Sequence, residues 1–220
     1  MAPNVCRAII AAMRVVVVNY GMGNLGSVTN AVEFLGITAS VTSGHKEIAN
    51  ADAIILPGVG SFRVAMNNIR QLGIDDAIRE AINVREKKLL GICLGFQMLA
   101  EFGAEDGGSA GLGYIKGRVS QFDSIPNANS KTLHIGFNQV RHSRDMPLFK
   151  GLRPDSHFYF VHSQRLPAES FSDNVATTEY GEKFVSAYSD DKIFGTQFHP
   201  EKSQTNGLIL IKNFLNIASC

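Results

Sequence analysis

The chain has 220 residues, a length that one continuous core can fill. Its 45% hydrophobic and 19% charged residues are ordinary for a globular chain and exclude disorder, collagen-like repeats and coiled coil. A net charge of +1 offers no electrostatic footprint for nucleic acid or an anionic membrane, and no apolar run approaches the ~20 residues needed to cross a bilayer.

Residues 1–13 read as an N-terminal extension, with Met13 as the natural start. Arg7 and a short apolar stretch look faintly like a signal peptide, but the stretch is shorter than the ~7–15 residues of such a core. From Arg14 onward strands alternate with helices. Val15 to Val18 is a β-branched run suited to a strand buried on both faces of a parallel sheet. Asn24 to Gly36 carries Leu25, Val28, Val32 and Leu35 at helical spacing. Ile37 to Thr42 and Ala53 to Leu56 are the next strands, the latter cut off by Pro57-Gly58. Ile69 to Lys87 is mostly helical with an interruption at Gly73. Leu89 to Ile92 is a fourth strand, and Leu94 to Phe102 is predicted to be a helix. Further strands are expected near Gly113 to Phe122, Thr132 to Val140, His157 to His162, Val175 to Tyr180, Phe184 to Tyr188 and Ile193 to Phe198. A last helix runs from about Thr205 to Ile217. The alternation predicts an α/β fold with an open, mainly parallel central sheet, flanking helices and extra antiparallel strands, as one unit over 14–220.

Gly21, Gly23 and Gly26 form G-x-G-x-x-G between a strand and a helix, the context of a dinucleotide site. The acidic residue that should end the second strand is missing, since 37–44 contains no Asp or Glu. A tight turn built from small residues is the simpler reading.

Cys6, Cys93 and Cys220 are odd in number and far apart, giving neither a disulfide framework nor a Cys-x-x-Cys metal pair. A reducing, cytoplasmic setting is expected, with no metal and no cofactor. Cys93 stands out. In Leu89-Leu90-Gly91-Ile92-Cys93-Leu94-Gly95 an apolar strand enters Gly-x-Cys-x-Gly and then a helix, the cysteine version of a nucleophile elbow. Its flanking glycines allow a sharp turn, and the helix start points free N–H groups at the sulfur, which favours the thiolate. A base and its orienter are offered by His199-Pro200-Glu201, where a carboxylate can hold the imidazole in the right tautomer.

Gly91 to Gly95, with Gln197-Phe198-His199-Pro200-Glu201-Lys202-Ser203 far downstream, resembles the class I (triad) glutamine amidotransferases. Asn19 to Leu25, Leu56 to Phe62, Ile135 to Val140 and Tyr159 to Ser163 are similar to the glutaminase subunits of imidazole glycerol phosphate synthases. The resemblance covers residues 14–217 and marks 14–220 as a glutamine amidotransferase domain. It implies that Cys93 attacks the side-chain amide of glutamine, that His199 serves the leaving ammonia and then water, and that Glu201 orients His199. Oxyanion and substrate contacts are implied for Gly58, Val59, Gly60 and the Leu94 N–H. Gln97 and Glu101, four and eight residues beyond Cys93, are expected on one side of the predicted helix, with Glu101 suited to the α-ammonium. His162 and Ser163 match the segment bordering the glutamine site, although His162 also suits a satisfied core position.

The resemblance further implies a heterodimer with a separate (β/α)₈-barrel cyclase that takes up the ammonia in histidine synthesis. Asn24 and Lys202 match positions at that interface. The chain departs from the family at Gly26, Phe137 and Gln164, where Arg, Trp and Tyr are usual, in segments expected to face the partner or the ammonia exit. Two alternatives stay open: a paralogous glutaminase that supplies ammonia for amidation of a surface-polysaccharide sugar, and a free-standing cysteine γ-glutamyl hydrolase.

Overall fold

The computed structural model describes residues 13–122 and 133–219. The expected N-terminal extension, apart from Met13, lies outside the described residues, as do Cys6 and Cys220. Met13 itself is buried against the core. In chain order the elements are β1 (Val15–Val18), α1 (Leu25–Phe34), β2 (Ala39–Thr42), α2 (His45–Ala49), β3 (Ala53–Leu56), α3 (Phe62–Gln71) and α4 (Ile74–Arg79), the last prolonged by a π-helical turn, Glu80–Val84. Next come β4 (Lys88–Ile92), α5 (Leu94–Met98), β5 (Ala100–Gly103), β6 (Ser109–Ala110), β7 (Ile115–Gln121) and β8 (His134–Gln139). The chain finishes with β9 (His157–His162), β10 (Gln164–Arg165), β11 (Val175–Tyr180), β12 (Glu182–Ser189), β13 (Ile193–Thr196) and α6 (Gln204–Ala218).

Seven strands form the central sheet in the order β11-β12-β13-β4-β3-β1-β2. The pairs β1–β2, β1–β3, β3–β4 and β4–β13 are parallel, whereas β12–β13 and β11–β12 are antiparallel. The expected mainly parallel sheet with antiparallel additions is therefore present. Strands β1 and β3 are buried at every residue, as their unbroken apolar runs require between two helical layers. One face packs Val15, Val17, Ile55, Leu90 and Phe194 against α1 and α6. The other packs Val16, Ile54, Leu56 and Leu89 against α3 and α4. Among the described residues no helix is long and apolar enough to cross a membrane.

Several elements differ from the sequence reading. Helix α3 starts at Phe62, earlier than expected, because the Ser61 side chain caps it by accepting from the Val64 N–H. Gly73 does break the helix, with φ +65°. The predicted helix Leu94 to Phe102 is too long: α5 stops at Met98 and the chain turns into β5. The carbonyls of Met98, Leu99 and Ala100 accept from the N–H groups of Leu112, Tyr114, Ile115 and Gly113, so a distant loop takes the acceptors a longer helix would use. Strand β5 then pairs with β7, Ala100 opposite Ile115. In the first turn, Gly21 and Gly23 adopt φ +85° and +123°, while Gly26 lies in open space. Asn24, beside them, caps α1 by accepting from the Ser27 N–H at 3.2 Å.

Candidate active site

The parallel strands β1, β3, β4 and β13 all end on one edge of the sheet, where open α/β sheets place their ligands. Cys93 follows β4 directly and sits at φ 54°, ψ −108°. That backbone lies outside the regions ordinary residues occupy and costs about 1–3 kcal/mol. Neighbouring contacts enforce it. A Cβ on Gly91 would come within 2.7 Å of the Phe96 backbone, and one on Gly95 within 1.7 Å of the Leu56 carbonyl oxygen. Only glycines let α5 dock this tightly on the ends of β3 and β4. The turn leaves Cys93 largely buried at the start of α5, where Leu94 and Gly95 occupy the first helical positions, whose N–H groups have no intrahelical acceptor.

His199 arrives after β13. Its N–H donates to the Tyr159 carbonyl at 2.9 Å. Ser203 fixes it from the other side: the Ser203 hydroxyl donates to the His199 carbonyl at 2.6 Å and accepts from the Tyr159 N–H at 2.9 Å. The Nδ1 of His199 lies 2.7 Å from Oε1 of Glu201, with the two side chains 3% and 1% exposed. Burial alone would lower the imidazole pKa, but its interaction with Cys93 and Glu201 outweighs this and raises it from 6.5 to about 10. The Nε2 of His199 is buried without a hydrogen bond of ordinary geometry. The raised pKa places the imidazole beside the Cys93 thiol. The distant stretches carrying Cys93 and the His199–Glu201 pair are brought together.

A pocket of about 570 Å³ opens over Cys93, lined by Val59, Gly60, Leu94, Gln97, His162 and Ser163 among the expected residues. Gly58 lies just beneath, where a Cβ would meet the Tyr20 hydroxyl at 2.4 Å and Leu94 Cβ at 2.9 Å. Gly60 has φ +99°, and Val59 and Gly60 are exposed beside the thiol. Glu101 requires correction. Because α5 ends at Met98, Glu101 is a strand residue of β5 and its expected helical alignment with Cys93 and Gln97 does not exist. It is exposed, accepts from the Gly117 N–H at 3.1 Å, and does not line the pocket. The acidic groups that do line it are Glu105 and Asp106. Glu105 accepts from the Phe62 N–H at 2.8 Å, which ties this turn to the start of α3.

Other site residues escaped the sequence reading. Tyr20 is buried and donates to the Pro57 carbonyl at 2.9 Å, fixing the loop after β3. Burial and the nearby Cys93 raise its pKa, so it stays a donor. Gln197, fully buried, has Nε2 3.7 Å from the Cys93 sulfur, and its Oε1 accepts from Gln97 Nε2 at 3.0 Å. Its place beside His199 in the downstream motif was the available signal. Asn24 and Lys202 lie outside the pocket and are exposed, with Lys202 Nζ 6.0 Å from the Tyr159 ring centre.

A cysteine on a strained elbow, a carboxylate-held imidazole and a pocket at the sheet's carboxyl edge are the arrangement that cysteine-dependent acyl transfer requires. The class I glutamine amidotransferase family matches residues 16–217, and the chain belongs to it. It is 41% identical over 203 residues to the imidazole glycerol phosphate synthase subunit HisH 1 of Campylobacter jejuni (strain RM1221), covering 92% of this chain and 100% of that protein. With the HisH subunit of Aquifex aeolicus it shares 43% over 203 residues, covering 92% and 96%. A solved structure described as a glutamine amidotransferase has the same fold, with TM-score 0.71 at 22% identity over 93% of this chain and 99% of that one.

Proposed function

We propose that this protein is the glutaminase subunit of an imidazole glycerol phosphate synthase, releasing ammonia from glutamine for a cyclase partner in histidine biosynthesis. The buried His199–Glu201 pair, coupled to a cysteine on a strained elbow, carries this reading. Glutamine enters the pocket with its α-ammonium toward Glu105 and Asp106 and its amide carbon over Sγ. Sulfur attack forms a tetrahedral intermediate whose oxyanion meets the Leu94 N–H and the loop Gly58 to Gly60. Donors aimed at such an oxygen supply about 2.7–4 kcal/mol each in related chemistry. His199, holding its proton through the neutral range, gives it to the departing amine and leaves a γ-glutamyl thioester. As a base it then takes a proton from the water that attacks the thioester carbonyl; the Cys93 thiolate is expelled, glutamate is released and the protonated imidazole is restored. Glu201 keeps the imidazole oriented and stabilises its charge throughout.

The partner is a cyclase subunit with a (β/α)₈ barrel, and the docking face centres on β8 and β9. There Ile135 and Phe137 are 58% and 50% exposed, and the Phe137 ring lies 5.6 Å from that of Tyr159, next to Lys202. Asn24, on the exposed start of α1, belongs to the same docking region in this proposal. A cytoplasmic location suits a thiol nucleophile.

The test is glutamate release from glutamine by the purified protein, alone and with the cyclase and its ribonucleotide ligand. Stimulation by the partner together with imidazole glycerol phosphate as product is expected. No glutamate under either condition refutes the glutaminase. Stimulation by a barrel protein that yields a different amidated product moves the acceptor to a sugar, and full partner-free activity on γ-glutamyl peptides favours a free-standing hydrolase.

A further inference from the structure

Two buried histidines outside the triad form a directed hydrogen-bond chain that ends at the nucleophile's pocket. His162 Nδ1 lies 2.8 Å from the Gln164 carbonyl oxygen, which only accepts, so Nδ1 carries the hydrogen. His162 Nε2 must then accept, and its partner at 3.1 Å, His134 Nδ1, must donate. That leaves His134 Nε2 as an acceptor for Asn138 Nδ2 at 3.2 Å. The Asn138 amide is oriented independently, with Nδ2 donating to the Glu179 carbonyl at 3.1 Å and Oδ1 accepting from the Gln139 N–H at 2.7 Å. Every link therefore has one direction and requires both rings neutral. Burial enforces this, pushing His134 down to about 4 and His162 to about 3. The His134 ring cannot drift, being stacked between Phe160 and Tyr180 with centroids 4.6 and 4.2 Å away.

At the far end the Gln164 carbonyl also accepts from Gln97 Nε2 at 3.0 Å. Gln97 Nε2 is shared with Gln197 Oε1, and Gln197 Nε2 reaches the Cys93 sulfur. Along β8 the alternation puts Ile135 and Phe137 outside while His134 is buried on the inner side.

We propose that His134 and Asn138 are positioning residues for glutamine hydrolysis, which hold His162 and the Gln164 carbonyl in place and through them Gln97 and the Cys93 environment. This rests on the glutaminase reading. It also links the pocket wall to the strand that carries the exposed docking residues.

Two measurements test it. The first is NMR of imidazole nitrogens in the intact protein, which reads tautomers without any assay of activity. Both His134 and His162 are expected neutral and protonated at Nδ1 at pH 6.5; either ring protonated at Nε2 overturns the relay. The second is glutaminase kinetics with the cyclase bound. His134→Phe keeps the stacking but removes the donor to His162, and a buried acceptor left unpaired is worth about a 5- to 150-fold loss in kcat/KM. His134→Asn returns an N–H near the Nδ1 position and is expected to recover most of that loss. Asn138→Leu removes the first link and is expected to lower kcat/KM in the same direction while the fold is retained. A folded His134→Phe protein within twofold of the parent, or a His134→Asn protein no better than it, overturns the proposal. Should the parent release no glutamate, the glutaminase reading fails, and the tautomers alone decide whether the relay exists.

Discussion

Replacing Glu201 by Gln tests how the buried carboxylate acts on His199. The carboxylate accepts from Nδ1 at 2.7 Å with both side chains almost wholly out of water. Charge-assisted hydrogen bonds contribute about 1.5–3 kcal/mol against about 0.5–1.5 for neutral ones. The amide therefore costs ~1–1.5 kcal/mol of imidazolium stabilisation even when its oxygen faces Nδ1, and kcat is expected to fall at least about fivefold. The fall is larger if the amide turns its NH₂ toward the ring and inverts the tautomer. The pH dependence of stability is the sharper reading. The native imidazole keeps its proton up to about 10, whereas an unfolded histidine loses it above 6.5. Below pH 6.5 the resulting stabilisation is fully present; above it the native state holds the extra proton, so stability falls as pH rises. One proton sets a ceiling of about 1.4 kcal/mol per pH unit. Urea unfolding of the parent and of Glu201→Gln at intervals from pH 6.5 to 10.5 isolates this contribution, because other titrations cancel in the difference. A loss of ~1–1.5 kcal/mol is about one pKa unit, so the variant's fall in stability should level off about one pH unit below the parent's. Parallel pH profiles for the two proteins would refute a carboxylate-stabilised imidazolium.

At Cys93 the backbone reverses the usual order of glycine and alanine: Cys93→Gly should be more stable than Cys93→Ala by ~1 kcal/mol in chemical denaturation, with both inactive, because φ 54° strains any side chain. Gly95→Ala forces a Cβ to 1.7 Å from the Leu56 oxygen and should lower stability by at least about 1–3 kcal/mol and reduce kcat; an unchanged melting temperature would disprove the tight docking of α5. Ser203→Ala strips the Tyr159 N–H of its acceptor and should cost about 1–3 kcal/mol in thermal unfolding, with a lowered kcat as His199 loosens. Glu105→Gln should raise KM for glutamine by roughly tenfold with kcat little altered, whereas Glu101→Gln should leave KM within twofold; the opposite pattern in steady-state kinetics would return the α-ammonium contact to Glu101.

Much of this protein is written in short stretches of its sequence. Four unbroken apolar residues in Val15–Val18 and in Ala53–Leu56 suit strands covered on both sides, and that covering is what the sheet provides. Gly91 and Gly95 around Cys93 announce a sharp turn; the Gly91 contact with Phe96 is local, whereas the Leu56 oxygen that Gly95 makes room for belongs to another strand. His199 and Glu201 stand two apart, so their pairing is local as well. The relation between Gln97 and Glu101 was not local. Helical spacing put both beside Cys93, but the carbonyls that would have continued α5 are taken by residues 112–115 and β5 pairs with β7 instead. Glu101 is thereby carried out of the pocket, and Glu105 and Asp106 stand at its wall. The same holds for Tyr20 on the Pro57 carbonyl and for His134 on His162, partners 37 and 28 residues apart. Periodicity and turn chemistry act over a few residues and are legible in order. Which acceptor a carbonyl meets, and which carboxylate faces a cavity, depends on long-range packing, and only the folded chain decides it.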